Sequence, residues 1–241
     1  MSDVQLHTTI LYAWFGLSAV VLVVLLFISA PYGRHSRGGW GPSVPSALGW
    51  VLMEAPAALV IFLFYLIAPR PPGVAAWVFL LIWEVHYLHR AFVYPFRLRL
   101  KGKTMPLTVM LMGIFFNAMN GYLNGRWLTA LGPEIPASWL MDPRFLAGAA
   151  LFMLGLGVNL YADQILINLR APGETGYKIP RGGPYRLVSC PNYLGEMVEW
   201  GGWALLTWSM PGLAFAAWTA ANLLPRALTH HRWYQDKFPD Y

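Results

Sequence analysis

VLMEAPAALVIFLFYLIAPRPPGVAAWVFLLIWEVHYLHR, residues 51–90, contains two apolar runs separated by the short connection APRPPG. An α-helix needs about 20 apolar residues to cross a bilayer, and helices joined by so short a connection are antiparallel neighbours. The stretch therefore predicts a membrane-embedded helical hairpin. Its polar residues, which include Glu54, Tyr87 and Arg90, need a separate explanation, because a charged group near hydrocarbon costs free energy.

The rest of the chain has the same character, with 57% hydrophobic and 12% charged residues among 241. We predict an all-α, polytopic membrane protein that forms one domain over residues 1–241. The hydrophobic pattern favours seven transmembrane helices, each near the length that spans a bilayer core. Their predicted ranges are 8–29, 46–68, 74–94, 105–125, 145–169, 192–210 and 210–228.

The basic residues indicate an orientation. Of the 17 Lys and Arg, fourteen fall in one alternate set of connections and three in the other. Basic connections face the cytosol, which predicts an external N-terminus and a cytosolic C-terminus. This topology also accounts for the net charge of +6, so no nucleic-acid partner is expected. The single cysteine, Cys190, excludes an intrachain disulfide and a cysteine-based metal site.

Counting residues from the centre of the hairpin connection places Glu54 opposite Tyr87. The first lies about 17 residues before the centre and the second about 16 after it, a difference in depth of about 2 to 3 Å. A carboxyl group in an apolar site tends to protonate, and a neighbouring phenol can donate a strong hydrogen bond. The pair suits a carbonyl oxygen that gains negative charge. The alternative is a lone acid that is hydrogen-bonded for stability.

Two histidines of the same helix, His86 and His89, are too few ligands for the metal centres of membrane enzymes. We expect them to form hydrogen bonds with neighbouring helices, and we expect no metal.

Polar residues also form stripes on the last three predicted helices, at spacings that keep each set on one helix face. A shared cavity is one interpretation, and hydrogen bonding between helices is the other. The stripes are Asn159, Asp163 and Arg170; Asn192, Glu196 and Glu199; and Asn222, Arg226, His230 and Tyr234.

Four segments, in this order and with this spacing, resemble the steroid 5α-reductase family. They are HYLHRAFVYPF (86–96), NLYADQILINLRAPGETGYKIPRGG (159–183), PNYLGEMVEWGGWALLTWSMPGLAF (191–215) and RALTHHRWYQDKFPDY (226–241). The resemblance covers about residues 50–241. It implies seven membrane helices and reduction of the Δ4 double bond of 3-oxo-Δ4 steroids by NADPH, with hydride transfer to C5.

The resemblance also implies roles for single residues. Glu54 and Tyr87 match the pair that polarises the 3-oxo group, on a substrate-carbonyl side of about residues 50–110. Phe116 and Trp200 match aromatic residues near the steroid. The NADPH side, about residues 155–241, is implied to hold the cofactor through Asn159, Asp163, Arg170, Tyr177, Asn192, Glu196, Arg226, His230 and Tyr234.

Other functions stay open. Membrane enoyl or sterol double-bond reductases are related alternatives. PNYLGE followed by HHRWY is also similar to prenylcysteine-type methyltransferases, which use S-adenosylmethionine. A lipid-binding membrane protein without enzymatic activity is the third alternative.

The expected surroundings follow from the same resemblance. We expect a monomeric bacterial homologue in the inner membrane, or an endoplasmic reticulum protein if the source is eukaryotic. Its partners would be a steroid or similar lipid and the membrane lipids, and its cofactor side would be cytosolic.

Overall fold

A computed structural model describes residues 1–29, 35, 37–98, 100, 102–171, 174 and 176–241. Three of the basic residues counted above, Arg34, Arg99 and Lys101, lie outside this part of the chain. The described residues are mostly helical. The helices are α1 (Asp3–Phe27), α2 (Ser46–Leu66), α3 (Val74–Phe92), the short α4 (Tyr94–Arg97), α5 (Leu107–Arg126), α6 (Pro143–Asn168), α7 (Pro191–Thr207) and α8 (Met210–Lys237).

The seven long helices of the described residues were all predicted from the hydrophobic pattern, including the separation of α7 from α8. Trp208 adopts a left-handed conformation (φ 46°) after α7, and the Ser209 side chain caps α8 by accepting from the Gly212 N–H. The predicted membrane span ends at residue 228, and α8 continues to Lys237, as the polar stripe that runs to Tyr234 on one helix face predicted. Within the part of the chain that the structure describes, three helices are long and apolar enough to cross a membrane by length and composition: α1, α2 and α6.

The chain folds into two compact units. The first comprises Met1–Leu11 and Ala30–Asp142, and the second comprises Tyr12–Ser29 and Pro143–Tyr241. The residues matched to the substrate carbonyl, Glu54 and Tyr87, belong to the first unit. All residues matched to NADPH belong to the second.

In the first unit, α2 and α3 form the predicted antiparallel hairpin. The Tyr65 hydroxyl donates to the Ala76 carbonyl at 2.7 Å, and Trp83 Nε1 donates to the Ala57 carbonyl at 3.0 Å. Both bonds join residues that are nearly equidistant from the turn. Glu54 and Tyr87 therefore lie at the same level of the hairpin, as counting residues from the turn predicted.

Helix α5 packs parallel to α2 through a glycine face. Added Cβ atoms at Gly113, Gly121 and Gly125 would lie only 2.8 to 3.0 Å from the nearest side-chain atoms of α2. The two helices are aligned at their starts by strands β1 (Ser43–Pro45) and β2 (Thr104–Pro106), which pair antiparallel. The all-α prediction omitted these strands, since three residues give no recognisable alternation.

In the second unit, glycines bring α6 and α7 into backbone contact along their length. An added Cβ at Gly155 would overlap the backbone nitrogen of Glu199, and one at Gly195 would lie 2.6 Å from Asn159 N. Gly148 and Gly202 form a similar contact two turns away. No larger residue fits at such distances, so this packing fixes how the polar faces of α6 and α7 oppose each other.

Candidate active site

Glu54 and Tyr87 are joined through a third residue, the buried Asn117. Its Nδ2 donates to Glu54 Oε2 at 3.1 Å and to the Met53 carbonyl at 2.6 Å. The Tyr87 hydroxyl donates to Asn117 Oδ1, with 3.4 Å between the oxygens. The side chains of α2, α3 and α5 thus meet in one hydrogen-bonded cluster, the Glu54–Asn117–Tyr87 cluster.

A cation lies beside this cluster. Arg90 Nε is 3.8 Å from Glu54 Oε1, and these side chains are only 18% and 13% exposed. The Arg90 guanidinium also lies over the rings of Trp50 and Tyr94, at 5.0 and 4.8 Å from their centroids. Glu54 therefore faces a donor at each oxygen. The sequence led us to expect a protonated carboxyl here, and the protonation of Glu54 stays a prediction; the structure shows that both neighbouring groups, Asn117 and Arg90, are donors.

Aromatic rings surround Tyr87. The Trp83 ring centroid is 5.0 Å from that of Tyr87, and the edge-on His86 ring is 4.9 Å away. His89 does not share this contact with Tyr87: its Nε2 lies 3.5 Å from Arg97 Nη1 of α4. Within the described ranges, no three His, Cys, Asp or Glu side chains are grouped so that they could hold a metal ion.

In the second unit, the polar faces of α6 and α7 meet in a chain of hydrogen bonds. Asn159 Nδ2 donates to the Asn192 carbonyl, and Asn192 Nδ2 donates to Asp163 Oδ1, both at 3.0 Å. Asn159 and Asp163 are 4% and 3% exposed. Three of the residues matched to NADPH are thus brought together.

A second group connects α7 with α8. Arg226 Nη2 donates to the Tyr193 hydroxyl at 2.9 Å, and its guanidinium lies 5.0 Å from the centre of the Tyr193 ring. The same hydroxyl is 3.4 Å from His230 Nε2. Tyr193 therefore links two residues that the sequence placed on one face of α8. Tyr234, also on α8, is buried and stacks on Tyr241 at 4.9 Å.

The connection between α6 and α7 carries the last two matched residues. Arg170 Nη1 donates to the Gly176 carbonyl at 3.1 Å, and the exposed Tyr177 ring packs edge-on against Trp233 at 5.0 Å. Lys178 lies 2.5 Å from Glu174 and lowers the pKa of that carboxyl through their hydrogen bond. Pro172, Gly173 and Thr175 of this connection lie outside the described residues.

The remaining predicted residues occupy different surroundings. Trp200 is 1% exposed within an aromatic cluster of the second unit that includes Phe152 and Phe215. Phe116 is half-buried on α5 in the first unit. Of the two acids on α7, Glu196 is half-buried and Glu199 is fully buried.

Sequence reasoning missed Asn117 and Tyr193. A signal for Asn117 was present, because Gly113, Asn117, Gly121 and Gly125 recur every four residues and mark a closely packed helix face. Tyr193 gave no comparable signal, since it follows Asn192 and falls off the polar stripe of α7. Its position against α8 depends on the tertiary packing.

Comparison with known proteins supplies an independent result. The family model described as 3-oxo-5-alpha-steroid 4-dehydrogenase matches residues 103–241. The chain is 39% identical to "Steroid 5-alpha-reductase DET2" of Gossypium hirsutum over 99% of its own length and 94% of the relative's. It is 42% identical to "3-oxo-5-alpha-steroid 4-dehydrogenase 1" of Bos taurus, over 94% of this chain and 89% of that one.

The corresponding protein of Homo sapiens is 43% identical, over 87% of this chain and 81% of the human one. These relatives come from plants and mammals, so a bacterial source stays a prediction. Identity at this level over nearly the whole length is not limited to one motif or one unit. The chain belongs to the 3-oxo-5-alpha-steroid 4-dehydrogenase family, the steroid 5α-reductases, and is an oxidoreductase.

Proposed function

We propose that this protein uses NADPH to reduce the Δ4 double bond of 3-oxo-Δ4 steroids and forms the 5α-dihydro steroid. The observation that carries the proposal is the largely buried Glu54–Asn117–Tyr87 cluster with Arg90 beside Glu54. The names of the relatives, which are steroid reductases, support the substrate class. Family membership gives no support to the methyltransferase and lipid-binding alternatives.

The chemistry explains why such a cluster would be needed. When hydride adds to C5 of an enone, negative charge develops on the 3-oxo oxygen, and donors near that oxygen lower the barrier. The Tyr87 hydroxyl would donate to the oxygen after leaving its weak, 3.4 Å bond to Asn117. Glu54 would donate to the same oxygen in its protonated form, since a carboxylate only accepts; Asn117 bonds one of its oxygens and Arg90 lies beside the other.

Burial strengthens this effect. Tyr87 and Asn117 are each 3% exposed, so little water competes for the bond to the ketone. Electrostatic interactions gain in strength when water is excluded, and groups already fixed in place need little reorganisation. The rings of Trp83 and His86 also pack against the Tyr87 ring and limit its movement.

The donor set of the second unit fits NADPH. The dinucleotide carries phosphates, ribose hydroxyls and a carboxamide, which call for cations, hydrogen-bonding side chains and aromatic surfaces. Arg226 and Arg170 supply charge. Asn159, Asp163 and Asn192 supply donors and acceptors, and Glu196, His230, Tyr177 and Tyr234 complete the proposed set.

When bound, NADPH supplies the hydride that C5 receives. The chain's own residues would orient the ketone, exclude water and stabilise the oxygen anion until C4 is protonated. One NADPH and one proton are consumed for each double bond reduced, which balances the reaction. From the resemblance to the family, Phe116 and Trp200 are each proposed as an aromatic residue near the steroid.

We also propose that all seven long helices cross the membrane, with the N-terminus outside and the cofactor side in the cytosol. The lengths of the helices, from 17 residues in α7 to 28 in α8, support this. A water-insoluble substrate would then reach a site built from membrane helices without entering water. The membrane would be the bacterial inner membrane or the endoplasmic reticulum, and the protein would act as a monomer.

The test is an assay with purified protein in detergent or lipid, using progesterone or testosterone with NADPH. The expected result is NADPH consumption matched by the 5α-dihydro product, with NADP(H) bound to the protein. S-adenosylmethionine should neither bind nor compete. Absence of turnover with every 3-oxo-Δ4 steroid, in protein that demonstrably binds NADP(H), would contradict the substrate class and favour another enoyl or sterol reductase.

A further inference from the structure

We propose that Asn117 is a positioning residue for the reaction, which sets the hydrogen-bond direction of Tyr87 and the orientation of Glu54. The inference rests on the proposed function, because it assigns Asn117 a role in the same ketone site. Asn117 lies on a third helix, α5, beside the Glu54–Tyr87 pair of α2 and α3. In the proposed reaction it touches neither the ketone nor the cofactor.

Asn117 is sterically confined. It occupies the middle of the glycine face of α5, with Gly113 and Gly121 one turn away on either side. Those glycines hold α5 so close to α2 that the Asn117 amide reaches the Met53 carbonyl at 2.6 Å. A residue at this position cannot swing aside, since it is 3% exposed and packed between helices.

The direction of each hydrogen bond to Asn117 follows from its partners. A backbone carbonyl only accepts, so the nitrogen of the Asn117 amide must face Met53. This settles the amide orientation, and Oδ1 therefore faces Tyr87. An amide oxygen also only accepts, so the Tyr87 hydroxyl must be the donor. The Tyr87 hydroxyl is thus oriented as a donor, and a ketone oxygen could replace Asn117 as its acceptor.

Glu54 is oriented by the same amide. The second N–H of Asn117 points to Oε2 at 3.1 Å, so this oxygen acts as an acceptor. Arg90 approaches the other oxygen at 3.8 Å. The hydrogen bond from Asn117 to one oxygen and the Arg90 charge beside the other orient the carboxyl group. One residue, Asn117, therefore sets the geometry of both predicted catalytic side chains.

The test compares Asn117→Leu, which has the same number and branching of heavy atoms but no polar atoms, with Asn117→Asp, which keeps the acceptor for Tyr87 and loses the amide donors. Asn124→Leu is the matched control. Asn124 is equally buried on α5, but its amide donates to the Asn120 carbonyl of its own helix. For each variant we would measure kcat, KM, the Kd for NADP(H) and the melting temperature.

Both Asn117 variants are expected to lower kcat about 10- to 100-fold, as loss of preorganised donors does. Their Kd for NADP(H) should stay within about twofold of wild type. The deciding measurement is a double-mutant cycle with Tyr87→Phe. Because Asn117 is proposed to act through Tyr87 and through Glu54, Asn117→Leu should lower kcat clearly less in the Tyr87→Phe background than in the wild-type background, with a residual effect through Glu54.

Additive effects of the two substitutions would overturn the role of Asn117, as would unchanged kcat in both variants. Parallel loss of kcat, cofactor binding and melting temperature in Asn117→Asp and in the Asn124 control would show a structural role only, and would also overturn it. Absence of steroid turnover by the wild-type protein would instead overturn the proposed function and, with it, this role. The two failures are therefore distinguishable.

Discussion

Arg90 Nε lies 3.8 Å from Glu54 Oε1, and the Arg90 guanidinium lies over the ring of Trp50. The sequence analysis placed Arg90 among the polar residues of the predicted hairpin, but it did not predict a partner for it. Its pairing across the hairpin places a cation next to the proposed ketone site. A partly buried ion pair of this kind is costly to break from one side, because the remaining charge loses its partner.

We predict that Arg90→Ala lowers kcat for steroid reduction about tenfold, because Glu54 loses the group that orients one of its oxygens. Arg90→Lys should recover part of the activity through its charge, but without the planar contact to Trp50. The control is Arg97→Ala, which removes one positive charge at an exposed position at the end of α4. Equal kcat for Arg90→Ala and Arg97→Ala would contradict a role in the site.

Glu54→Gln and Tyr87→Phe are each expected to reduce kcat about 100-fold, which is the effect of removing one group from an oxyanion-type site. The Kd for NADP(H) should be nearly unchanged, since both residues are matched to the ketone. Tyr65→Phe is the control, because its hydroxyl also donates within α2–α3, to Ala76. If either active-site substitution abolished cofactor binding, the assignment of substrate and cofactor residues would be wrong.

On the cofactor side, Arg226→Ala should raise the Kd for NADP(H) about 10- to 100-fold, because hydrogen bonds to charged groups contribute about 1.5 to 3 kcal/mol. Tyr193→Phe keeps the ring under the guanidinium and removes only the hydroxyl, so a smaller rise is expected. Titration of cofactor fluorescence would measure both. Arg232→Ala on the same helix, at an exposed site, should bind as wild type does.

The glycine contacts of α6 lead to a stability prediction. Gly155→Ala should lower the melting temperature and weaken NADP(H) binding, because the new Cβ would overlap the Glu199 backbone and push α7 away. Gly157→Ala is the matched control on the same helix, where an added Cβ meets nothing within 4 Å. That substitution should be neutral or stabilising, as Ala favours a helix over Gly by about 0.5 to 1 kcal/mol. Equal melting temperatures would exclude this packing.

The helices and the level of Glu54 against Tyr87 could be predicted from the sequence for physical reasons. Long apolar runs have few alternatives to a membrane helix, and a connection as short as APRPPG fixes the depth of residues on both sides. Neither feature indicates which helix packs beside the hairpin. Asn117 on α5 reaches Glu54 on α2, and the two residues are 63 positions apart in the sequence, so the link depends on packing.

The polar stripes were predicted to lie on common helix faces, and residues of all three acquire partners on other helices. Asn192 bonds Asp163 because glycines hold α6 and α7 at backbone contact. His230 and Arg226 meet Tyr193, which the stripes did not include. Periodicity indicates which residues share a face, but the partner of each residue is decided by the neighbouring helix.

Hydride transfer from NADPH to C5 of a 3-oxo-Δ4 steroid is the central step of the proposed reaction. The most direct measurement is to supply testosterone with NADPH that is dideuterated at C4 of the nicotinamide, and to locate the label in the product by mass spectrometry and NMR. We predict a 5α-dihydro product with one deuterium at C5 of the steroid, on the α face, and none at C4 of the steroid. An unlabelled product, or a product with deuterium at C4 of the steroid, would contradict this mechanism.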